Sequence, residues 1–331
     1  MSFFAVLFAL LAEQLKPLSN LNPIHHGLTG WVRWAGRNFD AGEDMHARVV
    51  WGITVLAPAA LTAIIYVFTN RYSTVLALGL DVAVLYLTLG FRQFSHHFTD
   101  IRDALEAGRE DRARELLAHW QNLDASELPR TEILRHVLEY SLLAAHRHVF
   151  GVFFWFVALS SLGLGPAGAV LYRMAEFASR YWSYRSQITG VSTHDRLMSL
   201  SQTLFSLVDH APARLTAFGF AVVGNFEDAV DAWRRHAVLW VRPNEGTILS
   251  AASGALGVRL GGQVAPSTDG ARDVSRTITQ GDAPDVIEAQ GSTTGAAPQM
   301  AHLRSVVGLI WRSVVLWMLL LALLSLANLI G

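Results

Sequence analysis

The sequence predicts an all-α, polytopic integral membrane protein, with cytoplasmic amphipathic helices and one broken or re-entrant helix between its spans. Two long apolar runs, residues 49–69 and 73–91, are separated only by Asn70-Arg71-Tyr72. A third run, residues 305–330, closes the chain. Each approaches the roughly 20 residues that a helix needs to cross the hydrocarbon core of a bilayer. Charge is also scarce, at 16% of residues against about 25% in soluble domains, so long stretches have little to solvate them.

Taken in order, residues 2–15 are apolar but lack a basic leader and a small-residue cleavage site, and Glu13 and Lys16-Pro17 follow directly. They read as a short span or an interfacial helix rather than a cleaved signal. Runs 49–69 and 73–91 must form an antiparallel hairpin, because a three-residue joint is too short to carry the chain elsewhere. Twelve basic residues flank this hairpin, from Lys16 to Arg48 and from Arg92 to Arg147, while its turn holds only Arg71. Positive charge stays on the cytoplasmic side, so the turn is expected outside and both flanks inside.

Residues 101–120 set Ile101, Leu105, Leu116 and Leu117 against a charged face from Arg109 to Glu115, the pattern of a soluble amphipathic helix or helix pair. Residues 131–145 repeat it with Ile133, Leu134, Val137, Leu138 and Leu142, behind Pro129, which suits a helix start. Residues 150–174 are apolar again but interrupted by Gly163-Leu164-Gly165-Pro166. Such a break survives at membrane depth only where protein or a wet cavity shelters the backbone, which predicts the broken or re-entrant pair.

Residues 203–223 contain Asp209, His210, Pro212 and Arg214, too polar a set for an ordinary lipid-exposed span. Segments 2–15, 150–174 and 203–223 therefore leave the number of crossings open. Between 263 and 299, Ser, Thr, Gly, Ala, Asp and Pro dominate, as in a flexible linker. The predicted organisation is a membrane domain over 1–262, a linker over 263–302 and a C-terminal transmembrane helix over 303–331, entered from the cytoplasm at Arg304.

Net charge is -1, which gives nucleic acid no electrostatic footing. Cysteine is absent, removing disulfides, thiolate metal sites, iron–sulfur clusters and cysteine nucleophiles together. No phosphate-loop, zincin or nucleophile-elbow motif occurs. His25-His26 and His96-His97 are adjacent and His146 and His148 are two apart, spacings that diverge on a helix, so hydrogen-bonded histidines are expected rather than a metal site. Asp81, alone in an apolar run, should face the protein interior as a structural hydrogen-bonding group or a proton relay.

Three clusters invite chemistry. Tyr172, Arg173, Glu176, Tyr181, Trp182, Tyr184 and Arg185 read as an interfacial aromatic belt, or as a guanidinium site for phosphate or carboxylate. The stretch from Asp209 to Thr216 reads as a helix start with proline near its first turn, or as an anion contact made by Arg214. Asn244-Glu245-Gly246 and the glycine-punctuated 254–262, with Arg259, would let backbone amides approach a phosphate.

These last motifs carry a resemblance. Ala211-Pro212-Ala213-Arg214-Leu215-Thr216, then Arg242-Pro243-Asn244-Glu245-Gly246, then 254–262 resemble the closing motifs of the CobD/CbiB family. Ala104-Leu105-Glu106-Ala107-Gly108 with Ala113-Arg114 and Leu117, and Gly165-Pro166-Ala167-Gly168-Ala169-Val170-Leu171-Tyr172, extend the likeness over 22–262. Members of that family are membrane proteins of cobalamin biosynthesis that join an aminopropanol unit to a corrinoid side-chain carboxylate using ATP. The resemblance thereby implies ATP and magnesium.

The family's Gly-Asp-Pro and His-Pro-Val signatures are absent, and Asn22-Pro23-Ile24-His25 stands where the latter would fall. Its acidic and amide-rich middle is replaced by His146-Arg147-His148 and Glu176-Phe177-Ala178-Ser179. Its paired aspartates become Ser206-Leu207-Val208-Asp209, leaving Asp209 as the candidate catalytic carboxylate. Residues 150–156 and the terminal helix look more like AmpE, a related inner-membrane protein associated with β-lactamase induction and cell-wall stress.

The expectation is accordingly a multi-pass bacterial inner-membrane protein with cytoplasmic main loops and a regulatory or sensory role of the AmpE type. A pocket of Arg173, Arg185, Asp209, Arg214 and Arg259, with Tyr172 and Asn244 as further contacts, is expected to bind a small anion: a phosphate or nucleotide, a cell-wall fragment or a corrinoid. The alternative is an adenosylcobinamide-phosphate synthase-type, ATP-dependent amide ligase using the same pocket. A transporter, resting on the broken helix and Asp81, comes third. A homo-oligomer is left open by the sequence.

Overall fold

A computed structural model describes residues 2–15, 23–39, 43–121, 123–189, 195–262 and 291–330; at 2, 23–26, 91–94, 184–189, 195 and 328–330 it describes the helix but no side chain. Among the described residues the chain is helical throughout, with isolated bridges and no strand. The first helices are α1 (Ser2–Leu15), α2 (Pro23–Phe39), α3 (Asp44–Trp51), α4 (Ala57–Tyr72), α5 (Thr74–Thr88), α6 (Phe91–Glu106) and α7 (Glu110–Gln121). They are followed by α8 (Arg130–Ala145), α9 (Gly151–Ser161), α10 (Ala167–Thr189), α11 (Asp195–Val223), α12 (Phe226–His236), α13 (Pro243–Leu256) and α14 (Met300–Ile330). Wide π-helical turns, Gly52–Leu56 and His146–Phe150, join α3 to α4 and α8 to α9 without a break.

Three helical stretches are long and apolar enough to cross a membrane: Asp44–Tyr72, Arg130–Ser161 and Met300–Ala327. Phe3–Leu15 and Thr74–Thr88 are apolar but shorter. Two expectations change here. Residues 131–145 are not a separate cytoplasmic helix but the first half of a continuous 32-residue helix, about 48 Å long at 1.5 Å per residue. The run 73–91 is not one continuous helix either, because Leu89 turns extended (ψ 148°) and ends α5 at Thr88.

The chain divides into two compact units. Unit 1 comprises residues 1–90, 151–209 and 269–284. In it α4 and α5 form the expected hairpin, but the joint is Ser73 alone, extended at φ -160°, with its hydroxyl accepting the Leu76 N–H as an N-cap. Leu61, Ile64 and Phe68 on α4 are exposed at helical spacing, as lipid contact requires. Asp81 is buried on the face of α5 that carries Ala77 and Leu85, the inward placement its charge demands.

Val50, Trp51 and Val55 build the unit's core with Met174, Ala178 and Trp182 of α10. The expected break at 163–166 is a tight turn between α9 and α10. Leu164 N–H returns to the Leu159 carbonyl at 2.9 Å and the Ser160 hydroxyl donates to the Gly165 carbonyl at 3.1 Å, so freed backbone groups find partners inside the protein.

Unit 2 comprises 91–150, 210–268 and 285–331. Residues 101–120 resolve into the helix pair α6 and α7, turned at Gly108 (φ 71°), with Ile101, Leu105 and Leu117 buried as their spacing predicts. Helix α14 packs on α8 and α6. Helix α13 ends at Gly257, which is left-handed (φ 66°, ψ 23°), and the Val258 N–H closes the cap on the Ser253 carbonyl at 3.1 Å. A Cβ at Gly257 would meet nothing within 4 Å, so Gly257→Ala should cost only its left-handed strain, about 1 kcal/mol. Thermal unfolding of detergent-solubilised protein measures this; an unchanged midpoint would argue against the cap.

Residues 291–296, within the stretch expected as linker, pair with 257–262 through Arg259 N–H to the Ala296 carbonyl and Thr293 N–H to the Leu260 carbonyl, both at 2.8 Å. Residues 263–290 of that stretch lie outside the described residues, and its last three, 300–302, already belong to α14.

One further expectation changes along α11. Pro212 does not stand near a helix start but deep inside this 29-residue helix. Proline cannot donate to the carbonyl four residues back. That carbonyl, of Val208, accepts the Trp155 indole N–H at 3.0 Å instead, which makes an interior proline tolerable.

Candidate functional site

The polar groups of unit 2 gather along a seam between α8, α11 and α13. The π-helical turn at the end of α8 buries His146, Arg147 and His148 together. Turns of this kind, which add one residue to a helix, recur at functional sites. Pro243 opens α13, so Asn244 and Glu245 occupy its first turn, where backbone N–H groups lack intrahelical acceptors and the helix end is positive.

The resulting geometry is specific. Arg147 Nη2 donates to Glu245 Oε1 at 2.7 Å, and Arg242 Nη1 donates to the same oxygen at 3.0 Å. One carboxylate is therefore held between two guanidinium groups, the strongest class of side-chain hydrogen bond. Arg214 Nη1 donates to Asn244 Oδ1 at 3.3 Å and to the His210 carbonyl at 2.9 Å. His146 Nδ1 and Thr216 Oγ1 are hydrogen-bonded at 2.8 Å, both buried. The seam is graded in depth, because the Arg242 side chain is 38% exposed and that of Arg147 only 9%.

A second buried contact supports the chain pairing at 257–262. Glu139 is fully buried. Arg135 donates to both of its oxygens at 3.1 Å, and the Gly261 N–H donates to Oε1 at 2.6 Å. Gly261 is left-handed (φ 82°), and its Cα is pressed against the Gly291 carbonyl. The glycines at 257 and 261 thus serve a helix cap and a close chain pairing.

In unit 1, Tyr172 Oη donates to Asp209 Oδ1 at 2.7 Å, and both residues are buried. Glu176 is buried between Arg173 at 2.8 Å and Arg180 at 3.1 Å. The expected aromatic belt is corrected here, because Tyr172 and Trp182 are fully enclosed and turn inward, where a hydroxyl can find the Asp209 carboxylate.

Of the expected site residues, Tyr172 meets Asp209 in unit 1, and Arg214 meets Asn244 in unit 2. Arg173 is engaged by Glu176. Arg259 is exposed at the 258–296 pairing, and the side chain of Arg185 lies outside the described residues. Sequence reasoning missed the Arg147–Glu245–Arg242 bridge, the His146–Thr216 contact and the Arg135–Glu139 pair. The i, i+4 spacing of Arg135 and Glu139, and Arg147 between two histidines, were the available signals.

Among the described residues no three His, Asp or Glu side chains gather as a metal site. A magnesium ion held with phosphate needs one or two protein carboxylates. The carboxylates on hand are committed: Glu245 to two arginines, Glu139 to Arg135 and Gly261, Asp209 to Tyr172. They do not fit such an ion as arranged, whereas the guanidinium and amide groups suit an anionic oxygen.

The sequence matches the family described as CobD/Cbib protein over residues 6–289. It is 30% identical to the cobalamin biosynthesis protein CobD of Stutzerimonas stutzeri over 73% of this chain and 71% of that one. It is 31% identical to the CobD of Chromobacterium violaceum, covering 78% of this chain and 82% of that one. The CobD of Leptospira interrogans is 26% identical over 59% of this chain and 60% of its own length. No solved structure matches.

These matches overturn the expectation of an AmpE-type regulator, since every one of them is to a CobD protein. The apolar stretch 150–156 that suggested AmpE is an ordinary membrane-helix composition and carries little identity. Motifs 211–216, 242–246 and 254–262, by contrast, fall within a match that runs through most of the sequence, and the chain belongs to the CobD/CbiB protein family.

Proposed function

We propose that this protein is a membrane-bound, amide-forming ligase of cobalamin biosynthesis, joining an aminopropanol amine to a corrinoid side-chain carboxylate with ATP as the activating substrate. The observation that carries this reading is the family match across residues 6–289. The three apolar helices support a membrane location, and the arginine distribution supports main loops in the cytoplasm, as expected of a bacterial inner-membrane protein.

Amide formation from a carboxylate needs one oxygen converted into a leaving group. A carboxylate oxygen takes the terminal phosphoryl of ATP and ADP departs. The amine nitrogen then bonds to the acyl carbon, phosphate leaves, and the nitrogen gives up a proton. Negative charge is present at every stage, so the protein's part is to hold anionic oxygens in place. Arg242 and Arg214, at the less buried edge of the seam, offer donors to an incoming phosphate or carboxylate, with the Asn244 amide beside them. Arg147, behind, keeps Glu245 turned toward Arg242 and acts as a positioning residue.

Purified protein in nanodiscs, given ATP, magnesium, aminopropanol or its phosphate and a corrinoid acid, is expected to form the amide, read by mass spectrometry. Absence of product, under conditions in which the Chromobacterium violaceum relative turns over, would end the proposal. Arg214→Ala is expected to lower kcat/KM by about 30-fold, the loss of one charge-assisted hydrogen bond of about 2 kcal/mol. An unaltered kcat/KM in a folded variant would remove the seam from the site.

A further inference from the structure

Between α12 and α13 the chain makes a short turn over Ala237–Leu239 and on to Val241. Val238 is 82% exposed, Leu239 55% and Val241 53%. Trp240, between them, is buried against Gly246 and Gly291. That anchor holds the backbone so that its three apolar neighbours project outward, an arrangement that hydrophobic burial within the unit would not produce.

Neighbouring contacts within unit 2 connect this turn to the uncharged part of α14. Glu245, four residues beyond Val241, pairs with Arg147. Three residues further along that helix, the Phe150 ring lies 6.3 Å from Trp317 of α14. Trp317 falls in residues 313–330, which contain no charged side chain. The segment that follows the turn is thus linked, through Arg147 and Phe150, to the uncharged part of α14. Leu215, Phe218 and Val222 line one exposed face of α11, which begins beside Asn244 where Arg214 meets it.

Charge brackets the turn. Arg234, Arg235 and His236 form the last turn of α12, and Arg242 follows Val241. Arg235 also pairs with Asp231 and Arg242 with Glu245; the acidic Glu227 and Asp228 sit at the far end of α12. Exposed aliphatic side chains set between arginines fit the boundary between anionic headgroups and acyl chains, where guanidinium groups reach phosphate and aliphatic groups enter lipid.

We propose that residues 238–241 are an interfacial anchor that seats the α12–α13 segment in the headgroup–acyl boundary of an anionic bilayer. The anchor would hold the arginine seam at a fixed depth, next to substrates that travel along the membrane surface. It does not depend on which reaction the protein performs.

The chain has no cysteine, so single cysteines can be placed at will. Val238→Cys and Val241→Cys, each carrying a bimane label, are compared with Glu227→Cys in vesicles of phosphatidylcholine with about one-third phosphatidylglycerol. The labels at 238 and 241 should be quenched by doxyl lipids about threefold more than the label at 227, with iodide showing the reverse order. Equal iodide access at all three positions overturns the anchor. So does protection from both quenchers, which would indicate a protein partner such as a second copy. Lipid quenching that is unchanged when phosphatidylglycerol is omitted overturns the anionic assignment.

Discussion

Replacing Arg135 by alanine is expected to destabilise the protein by about 3–5 kcal/mol, the range for stranding one partner of a buried ion pair. Glu139 has no access to solvent. Both of its oxygens are held by Arg135, and its remaining donor is the Gly261 N–H. Without the guanidinium, one backbone amide would face a full negative charge in the interior. The contact also ties α8 to the chain pairing at 257–262, so its loss should loosen that pairing. A double variant, Arg135→Met with Glu139→Leu, should regain all but about 1–3 kcal/mol, since no buried charge is then stranded: Glu132, which also pairs with Arg135, is 38% exposed and can turn to solvent, and the Gly261 N–H lacks an acceptor. Tryptophan fluorescence during thermal unfolding in detergent reads both. If the single variant unfolds with the wild type, or the double variant is the worse of the two, the pair is not what stabilises this region.

The second large effect lies at Gly168, near the start of α10. A Cβ built there would collide with the Trp155 carbonyl, and backbone cannot move aside as a flexible side chain can. Even alanine should force α9 and α10 apart, at a cost of about 3 kcal/mol. Tyr172 lies one turn further along α10, so its bond to Asp209 should be lost at the same time. Gly79→Ala on α5 is the matched control, because nothing stands within 4 Å of its added methyl. That variant should gain about 0.5–1 kcal/mol from helix propensity. Equal unfolding midpoints for the two alanine variants would show that α9 and α10 do not approach as closely as described.

How much of the molecule was legible beforehand depends on the range of the interaction involved. Helices at 2–15, 49–91, 101–120 and 305–330 announce themselves through apolar length or spacing. The break at Gly163–Pro166 announces itself through residues that a helix cannot carry. Boundaries were less visible. Ser73 became the hairpin joint because its hydroxyl caps α5, a gain no run of apolar letters displays. Pro212 was misplaced at a helix start because the indole of Trp155, 53 residues away, takes over the carbonyl it frees. The aromatics Tyr172 and Trp182 were misread as surface for the same reason: an amphipathic side chain suits an interface or an interior, and only its partners decide.

The candidate site was legible as a family of motifs but not as a geometry. Arg214 and Asn244 were both singled out from motifs like those of CobD/CbiB proteins, and the fold brings them to 3.3 Å. Arg147, Arg242 and Glu245 escaped notice as a unit, because an ion pair spanning 98 residues has no periodic signature.

By itself, the sequence determined a helical membrane protein, the hairpin, the interrupted helix and membership of a cobalamin-biosynthesis family. These follow from local chemistry, since a bilayer fixes the length of an apolar helix and shared motifs persist along the chain. Only the tertiary structure decided which buried polar groups meet across helices: Arg147 with Glu245, His146 with Thr216, and Tyr172 with Asp209. A buried charge is tolerable only beside a partner, and in these contacts the partner comes from a distant helix whose position the packing of its unit sets.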